Sequence, residues 1–319
     1  MKKLIIILAV ILGVGVIIGA TGCILASGNI EEQIFMEKKE TYTANEGVIV
    51  DCSTNDVIVK TGSTSEVIFE YYETKKLKPT ITRDGGNIKF ESDKKREFFF
   101  FNWFTRKTAV TVTLPKNFSG NLSLSAKTGT ITVKDLKSLD VKALYVSVTT
   151  GEIEASGIKT SDNAKFKLTT GSATIDDLTV GGAADISSTT GRLSINKLEA
   201  ADNVKVSATT GRITAENVKA GGEFSGISTT GKGEYDVDSQ KVTLKASTGE
   251  IKFRIANGKN ISVNVTTGDI EGVIVGDEQS YSVDCRTTTG DSNISNRTGG
   301  ENTLKVETST GDVNIKFEK

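Results

Sequence analysis

Lys167-Leu168-Thr169-Thr170-Gly171-Ser172-Ala173-Thr174-Ile175 returns twenty residues later as Ser187-Ser188-Thr189-Thr190-Gly191-Arg192-Leu193-Ser194-Ile195. It returns again as Ser207-Ala208-Thr209-Thr210-Gly211-Arg212-Ile213-Thr214-Ala215. Outward from these three, a register of ten Thr-Gly pairs places glycines at Gly129, Gly151, Gly171, Gly191, Gly211, Gly231, Gly249, Gly268, Gly290 and Gly311. The intervals are 22, 20, 20, 20, 20, 18, 19, 22 and 21 residues. A sustained period near twenty marks a stacked solenoid.

Aligned on the glycine, the units alternate with period two. Positions seven, five and three before it are mainly apolar or small, as in Val204, Val206 and Ala208. Positions two and four after it resume the pattern, as in Ile213 and Ala215. Such alternation marks a strand with one buried face. Five residues separate the inward positions flanking the glycine, an odd number, so the parity flips there. A corner explains the flip, and glycine suits a corner because it reaches positive φ without a Cβ clash. Early units add an apolar residue seven after the glycine (Leu136, Ile158, Leu178, Leu198, Val218), followed by small residues such as Gly181-Gly182. This predicts a short third strand and a second corner. The expected fold is all-β: a parallel β-helix, or β-solenoid, of about ten coils with an irregular β cap and one N-terminal membrane helix. Only 2 of 319 residues are Pro, which suits a sheet-rich chain because proline cannot donate to a ladder.

Lys2-Lys3 precedes an uncharged, mainly apolar run over residues 4–26, long enough to span a bilayer as a helix. Two preceding lysines predict that the short end stays cytoplasmic and the remaining chain lies outside. Gly19-Ala20-Thr21-Gly22-Cys23 offers a second reading, a lipoprotein signal with Cys23 lipidated. A cleaved signal peptide is a third. The expected organisation is residues 1–27 as anchor or lipoprotein signal, 28–120 as cap and 121–319 as solenoid.

Within the cap, Phe98, Phe99, Phe100, Phe101, Trp103 and Phe104 are flanked by Lys94, Lys95, Arg96, Arg106 and Lys107. Two readings stand. The aromatics form a membrane or partner patch, seated at the headgroups with the cations on anionic lipid. Alternatively they plug the open end of the solenoid core, and the cations form a solvated rim.

The layout resembles the bacterial "putative adhesin" family, catalogued as a β-strand-repeat domain of unknown function (number 4097). The resemblance rests on the N-terminal segment and the strand pair around Asp56-Val57-Ile58-Val59. The Phe-rich turn, the run Val110-Thr111-Val112-Thr113-Leu114-Pro115-Lys116 and the Ser/Thr-Thr-Gly-x-Ile units complete it. It implies a bacterial cell-envelope protein linked to envelope-stress systems, and supplies no catalytic residues.

The chain has no histidine, which excludes His-dependent triads and His metal sites. No nucleotide-binding glycine loop is present. Net charge is −1, and no basic stripe points to nucleic acid. Stacked corners are expected to bring Asp269, Asp291 and Asp312 together. They lack the spacing of a Ca²⁺ loop and read as solvated corner residues. Cys285 falls in an inward column as a small hydrophobe, far along the rod from Cys52. No catalytic, metal or cofactor-binding residue is assigned.

Three functions remain. The first is a non-catalytic structural or interaction protein, anchored in the bacterial cell membrane with its bulk extracytoplasmic and facing an envelope protein or wall polymer. The second is a carbohydrate-binding surface adhesin using Thr ranks such as Thr149-Thr150 and Thr209-Thr210, at intervals of about 4.8 Å. The plain alternative for those threonines is corner stabilisation by stacking and hydrogen bonding. Tyr145 and Tyr281 lie off the inward columns and are candidate sugar contacts. The third function is a polysaccharide-active β-helix enzyme.

Overall fold

The structure, a computed structural model, describes residues 36–43, 46–73, 78–92 and 109–319. The expected membrane segment over residues 4–26, Cys23 within it, and the aromatics Phe98, Phe99, Phe100, Phe101, Trp103 and Phe104 lie outside the described residues. Among the described residues no helix is long and apolar enough to cross a membrane. The described strands are β1 (Met36–Tyr42), β2 (Gly47–Cys52), β3 (Asp56–Gly62), β4 (Val67–Glu73), β5 (Thr80–Asp84), β6 (Asn87–Ser92) and β7 (Ala109–Pro115). The long coils follow as β8 (Ser119–Lys134), β9 (Asp140–Thr160), β10 (Ala164–Val180), β11 (Ala184–Ala200), β12 (Val204–Ala220) and β13 (Glu223–Asp238). Then come β14 (Lys241–Thr248), β15 (Ile251–Ala256), β16 (Asn260–Thr267), β17 (Ile270–Val275), β18 (Tyr281–Thr289), β19 (Asn302–Thr310) and β20 (Val313–Glu318). All twenty belong to one hydrogen-bonded sheet system. The chain is an all-β solenoid of about ten turns.

A regular coil has three sides. In β10 the first side buries Ala164, Phe166 and Leu168, the second Ala173 and Ile175, and the third Leu178 and Val180. The corner between the first two sides is Thr169-Thr170-Gly171, where the inward parity flips as expected. A second corner falls at Asp177, φ 56°. Lys197 and Asn217 occupy the same place in the next two coils with φ 54° each. A third corner at residues 181–183 precedes the next coil. Neighbouring coils pair in parallel with like on like: Phe166 on Ile186, Thr170 on Thr190, Gly171 on Gly191, Leu178 on Leu198.

The ten corner glycines form one column, with φ between 132° and 145°. A Cβ on Gly191 would lie 1.8 Å from the carbonyl oxygen of Gly171, and one on Gly231 would lie 1.7 Å from that of Gly211. Each glycine therefore meets two demands at once, a positive φ and the approach of a neighbouring carbonyl.

The intervals of 18 and 19 residues have a local cause. In β13 the residue at the second corner is missing, with a register shift between Ala215 and Val218, and one more is missing at the third corner, where Asp238 pairs with Lys219 but Lys241 with Glu223; the next coil keeps only the first loss. Gly233, Tyr235 and Val237 then continue the inward alternation without a break. Inward glycines are filled by aromatics from nearby positions. A Cβ on Gly226 or Gly233 would strike the Tyr235 ring at 2.7 and 2.5 Å. One on Gly272 would meet Phe253 at 2.1 Å. Phe166, Phe224, Tyr235 and Phe253 all occupy inward positions and are buried.

At both ends the spatial order departs from the chain order. β2–β3 lies between β8 and the outer pair β6–β7: Val48 pairs with both Leu122 and Ile88, and Val57 with both Ile131 and Val110. The segment expected to be an irregular cap thus contains two regular layers. Antiparallel β4 then covers β7, and β5 covers β6. At the other end β19–β20 inserts between β16–β17 and β18. β20, the last strand in chain order, is therefore not the free end of the rod. The Asn293 side chain accepts from Ile315 N at 2.8 Å and donates to Ile315 O at 2.9 Å. The outer edge of β18 is occupied in turn. Val283 exchanges backbone bonds with Arg297, and Cys285 N donates to Asn296 Oδ1 at 2.6 Å. An occupied edge cannot template a further strand.

Two outcomes follow from this packing. Gly191→Ala is expected to cost at least about 2 kcal/mol, because strain and a backbone clash coincide. Gly85→Asn, at φ 53° with nothing within 4 Å of the added Cβ, is expected to change stability by less than about 0.5 kcal/mol. Denaturant melts of the two variants compare them directly. Gly272→Val is expected to destabilise on its own, and Phe253→Ala to cost about 3–5 kcal/mol. In the double variant the new methyls occupy space left by the ring, so its loss is expected to be smaller than the two single losses combined.

Candidate functional site

The outward surface is the candidate site, and the coil geometry assigns each residue to a face. A threonine before each glycine runs along the first corner, and in seven of the ten coils a second threonine precedes it. Thr150, Thr170, Thr190, Thr210 and Thr230 are in register and exposed. Among the described residues, none of the paired corner hydroxyls beside the glycines makes a hydrogen bond to another protein group. Stacking therefore remains as their structural role, and the expected corner hydrogen bonding is not observed. Their hydroxyls face solvent in two files.

Asp269, Asp312 and Asp291 are brought together as expected, in that spatial order. The reason is structural. Asp269 Oδ1 accepts from Asp312 N at 2.9 Å, and Asp312 Oδ1 accepts from Asp291 N at 2.9 Å. Asp56 does the same for Thr130 N at 2.8 Å. These carboxylates satisfy backbone donors at the corner that the parallel ladder leaves free. No group of three or more His, Cys, Asp or Glu placed to hold a metal occurs among the described residues.

The second side carries a charge network across coils. Glu250 pairs with Lys232 at 2.5 Å and Lys252 at 3.0 Å, and Lys252 continues to Glu271 at 2.8 Å. The ammonium groups of Lys232 and Lys252 hold the Glu250 carboxyl below the usual carboxylate range. At the second corner Asp177 is held low in the same way by Lys137 and Lys197. An amide ladder runs beside it, with Asn196 donating to Asp176 at 2.7 Å and Asn217 to Asn196 at 3.0 Å.

The β6–β7 end of the core is closed by aromatics. Phe69 and Phe90 stack at 5.7 Å, Tyr71 meets Phe90 edge-on at 5.2 Å, and Tyr42 meets Phe69 at 6.1 Å. Glu40 accepts from the hydroxyls of Tyr42 and Tyr71. These bonds hold its carboxyl low, while burial and the bond to Glu40 push Tyr42 up to about 12. Sequence reasoning assigned this plug to Phe98, Phe99, Phe100, Phe101, Trp103 and Phe104 or left it open. Phe69 and Phe90 carried a usable signal, since each lies at an inward position of a short alternating strand.

The remaining candidates separate. Tyr145 is exposed and stays available as a contact. Tyr281 is buried, its hydroxyl donating to Gly258 O at 2.5 Å, and is removed from the contact list. Cys285 is half-buried rather than fully inside, because the unit that carries it forms no strand after its glycine, and Ser292 is exposed there. Cys52 is fully buried, and burial pushes its thiol up to about 12. Both thiols are free, and they lie toward opposite ends of the rod.

Several solved structures resemble this chain. A "putative adhesin" from Bacteroides fragilis shares 12% identity over 90% of this chain and 99% of its own, with a TM-score of 0.40. A "putative adhesin" from Parabacteroides distasonis shares 14% over 90% and 98%, also at 0.40. A "putative lipid binding protein" from the same species shares 11% over 91% and 98%, at 0.26. No curated protein matches significantly. The profile of the family described as Toastrack DUF4097 matches residues 46–316, from the first inner coil to the last strand, and the chain belongs to that family.

Proposed function

We propose that this chain is a non-catalytic rod of the bacterial cell envelope, tethered at its N-terminal end with its bulk extracytoplasmic. Its long faces present to an envelope protein or wall polymer, as an accessory of envelope-stress response. The observation that carries this reading is the asymmetry of the two ends. β1, where the described chain begins, and Ser92 and Ala109, which bound residues 93–108, all lie at the β6–β7 end. The opposite end is sealed by Asn293, Asn296 and Arg297. A span over residues 4–26 would therefore hold the aromatic segment close to the bilayer and point the sealed end away.

The aromatic core at that end supports a patch rather than a plug. Phe69, Phe90, Tyr71 and Tyr42 already fill the terminal layer. Aromatics bracketed by cations are suited to a lipid headgroup region. The adhesin reading draws on a separate observation, the two files of corner hydroxyls without protein partners.

Crosslinking and pull-down from intact membranes test the tether and the patch. The wild type is expected to fractionate with membranes and to capture a membrane-protein partner. Replacing Phe98, Phe99, Phe100, Phe101, Trp103 and Phe104 by Ser is expected to lose that partner while the fold persists, and deleting residues 4–26 to release the chain. A chain that leaves the membrane only when Cys23 is replaced would identify the lipoprotein form. A chain found in the cytoplasm would overturn the reading.

A further inference from the structure

The first side differs from the second in how its charges are arranged. Between β8 and β16, the outward positions six, four and two residues before each glycine carry Lys127, Lys165, Lys167, Lys205 and Lys245 against one carboxylate, Asp185. The outward positions of the second side over the same coils carry nine carboxylates and six cations. Second-side charges pair across coils, as in Lys232–Glu250–Lys252–Glu271. At these positions only Lys165 pairs, with Asp185 at 2.9 Å; one step further from the corner on the same side Lys241 pairs with Glu223 at 2.8 Å. Lys127, Lys167, Lys205 and Lys245 are exposed, and none lies within ion-pair distance of a carboxylate among the described residues.

These lysines follow a period that appears only in the folded order of coils. Lys127 is on β8, Lys167 on β10, Lys205 on β12 and Lys245 on β14, so each occupies every second coil. The coils between them, β9, β11, β13 and β16, place no cation at these positions. Insertion of β19 next to β16 puts Lys305 in phase beyond Lys245. Placement of β6 outside β2 puts Lys89 in phase before Lys127. Those two terminal lysines are matched within their own strands, Lys89 to Glu91 at 2.7 Å and Lys305 to Glu307 at 3.1 Å. The four between them stay unpaired.

Like charges on adjacent strands repel, which explains why the lysines skip a coil. Repulsion alone does not explain the missing counter-charges, because the second side keeps Arg192, Arg212 and Lys232 in register on three successive coils and supplies carboxylates close by, as Glu234 for Arg212 and Glu250 for Lys232. With coils about 4.8 Å apart, the cationic rows recur about every 9.6 Å along the rod. One coil spacing is close to the advance of one extended pyranose ring, so two coils match a disaccharide.

We propose that the first side binds a linear acidic polysaccharide with one negative charge per disaccharide, laid along the rod. Lys127, Lys167, Lys205 and Lys245 meet its carboxylates. Hydroxyls on the intervening coils, Ser147, Thr189 and Thr229 among them, meet its sugar hydroxyls. Lys127, Lys167 and Lys205 step across the face by two residues per row, and the flexible four-carbon lysine stem accommodates that offset. Each exposed contact is weak, and affinity comes from engaging four rows together. This inference rests on the extracytoplasmic placement proposed above.

The test uses the full chain in detergent, with hyaluronan as probe because it carries one carboxylate per disaccharide. Dextran serves as the neutral polymer and poly(glycerol phosphate) as a polyanion of different charge spacing. The wild type is expected to bind hyaluronan, more weakly as salt rises, and to ignore dextran. The combined variant Lys127→Gln, Lys167→Gln, Lys205→Gln and Lys245→Gln is expected to lose at least about tenfold in affinity with an unchanged melting temperature. A control with Lys116→Gln, Lys142→Gln, Lys159→Gln and Lys259→Gln removes the same charge elsewhere and is expected to bind like wild type. An equal loss in the control would reduce the effect to net charge and overturn the proposal. Tighter binding of poly(glycerol phosphate), or no binding of any polyanion at low salt, would also overturn it. If no polyanion binds while the membrane partner is still captured, only this inference fails; a cytoplasmic chain that binds hyaluronan through these lysines would remove the envelope placement instead.

Discussion

A carbonyl oxygen lies where a Cβ would stand at nine of the ten corner glycines. That contact sets how closely coils approach at the first corner, and the rest of the architecture depends on it. Because the coil turns there without a side chain, the first and second sides can both direct alternate residues inward. Because each glycine rests on the one beneath it, the register between coils is fixed to the residue. The aliphatic columns, the Thr files and the cross-coil charge pairs all inherit that register. The second corner is set less strictly. Asp135, Gly157, Asp177, Lys197 and Asn217 all adopt positive φ there, and its loss in β13 shortens the coil without disturbing the core.

A stacked sheet has two open ends, and this chain closes them by different means. Near the N-terminus, antiparallel strands and an aromatic cluster cover a coil that the chain lays down outside its own first coil. Near the C-terminus, the last strands return beneath β18, and the segment before them folds over the exposed edges. The Asn293 amide fits that role because it carries both a donor and an acceptor, as a peptide unit does. These arrangements place β2–β3 and β19–β20 inside the stack, where they are paired on both edges.

The outer faces divide the work suggested for the molecule. The second side pairs many of its charges internally, through contacts that at this exposure contribute little to stability. The first side leaves four lysines and two files of hydroxyls without partners in the protein. An inward column cannot vary without changing the core, whereas these positions are free to carry recognition. That is where a partner-binding rod can differ from a relative that keeps the same coil.

The sequence by itself determined the period, the corner, the inward columns and the absence of histidine chemistry. All are local: a strand alternates with period two, a corner needs glycine, and each is read within twenty residues. Leu136, Ile158, Leu178, Leu198 and Val218 mark the third side on the same terms, and all are buried. The order of layers at the two ends was decided only in the tertiary structure. Coils of similar shape can stack in more than one order, and no local pattern records which neighbour each one takes. The two-coil lysine period depends on that order at its ends, since Lys89 and Lys305 fall into phase only after the terminal coils exchange places. Tyr281 shows the same limit in one residue: it lies off the inward columns of the repeat, yet the turn before β18 carries it into the core, where Gly258 takes its hydroxyl.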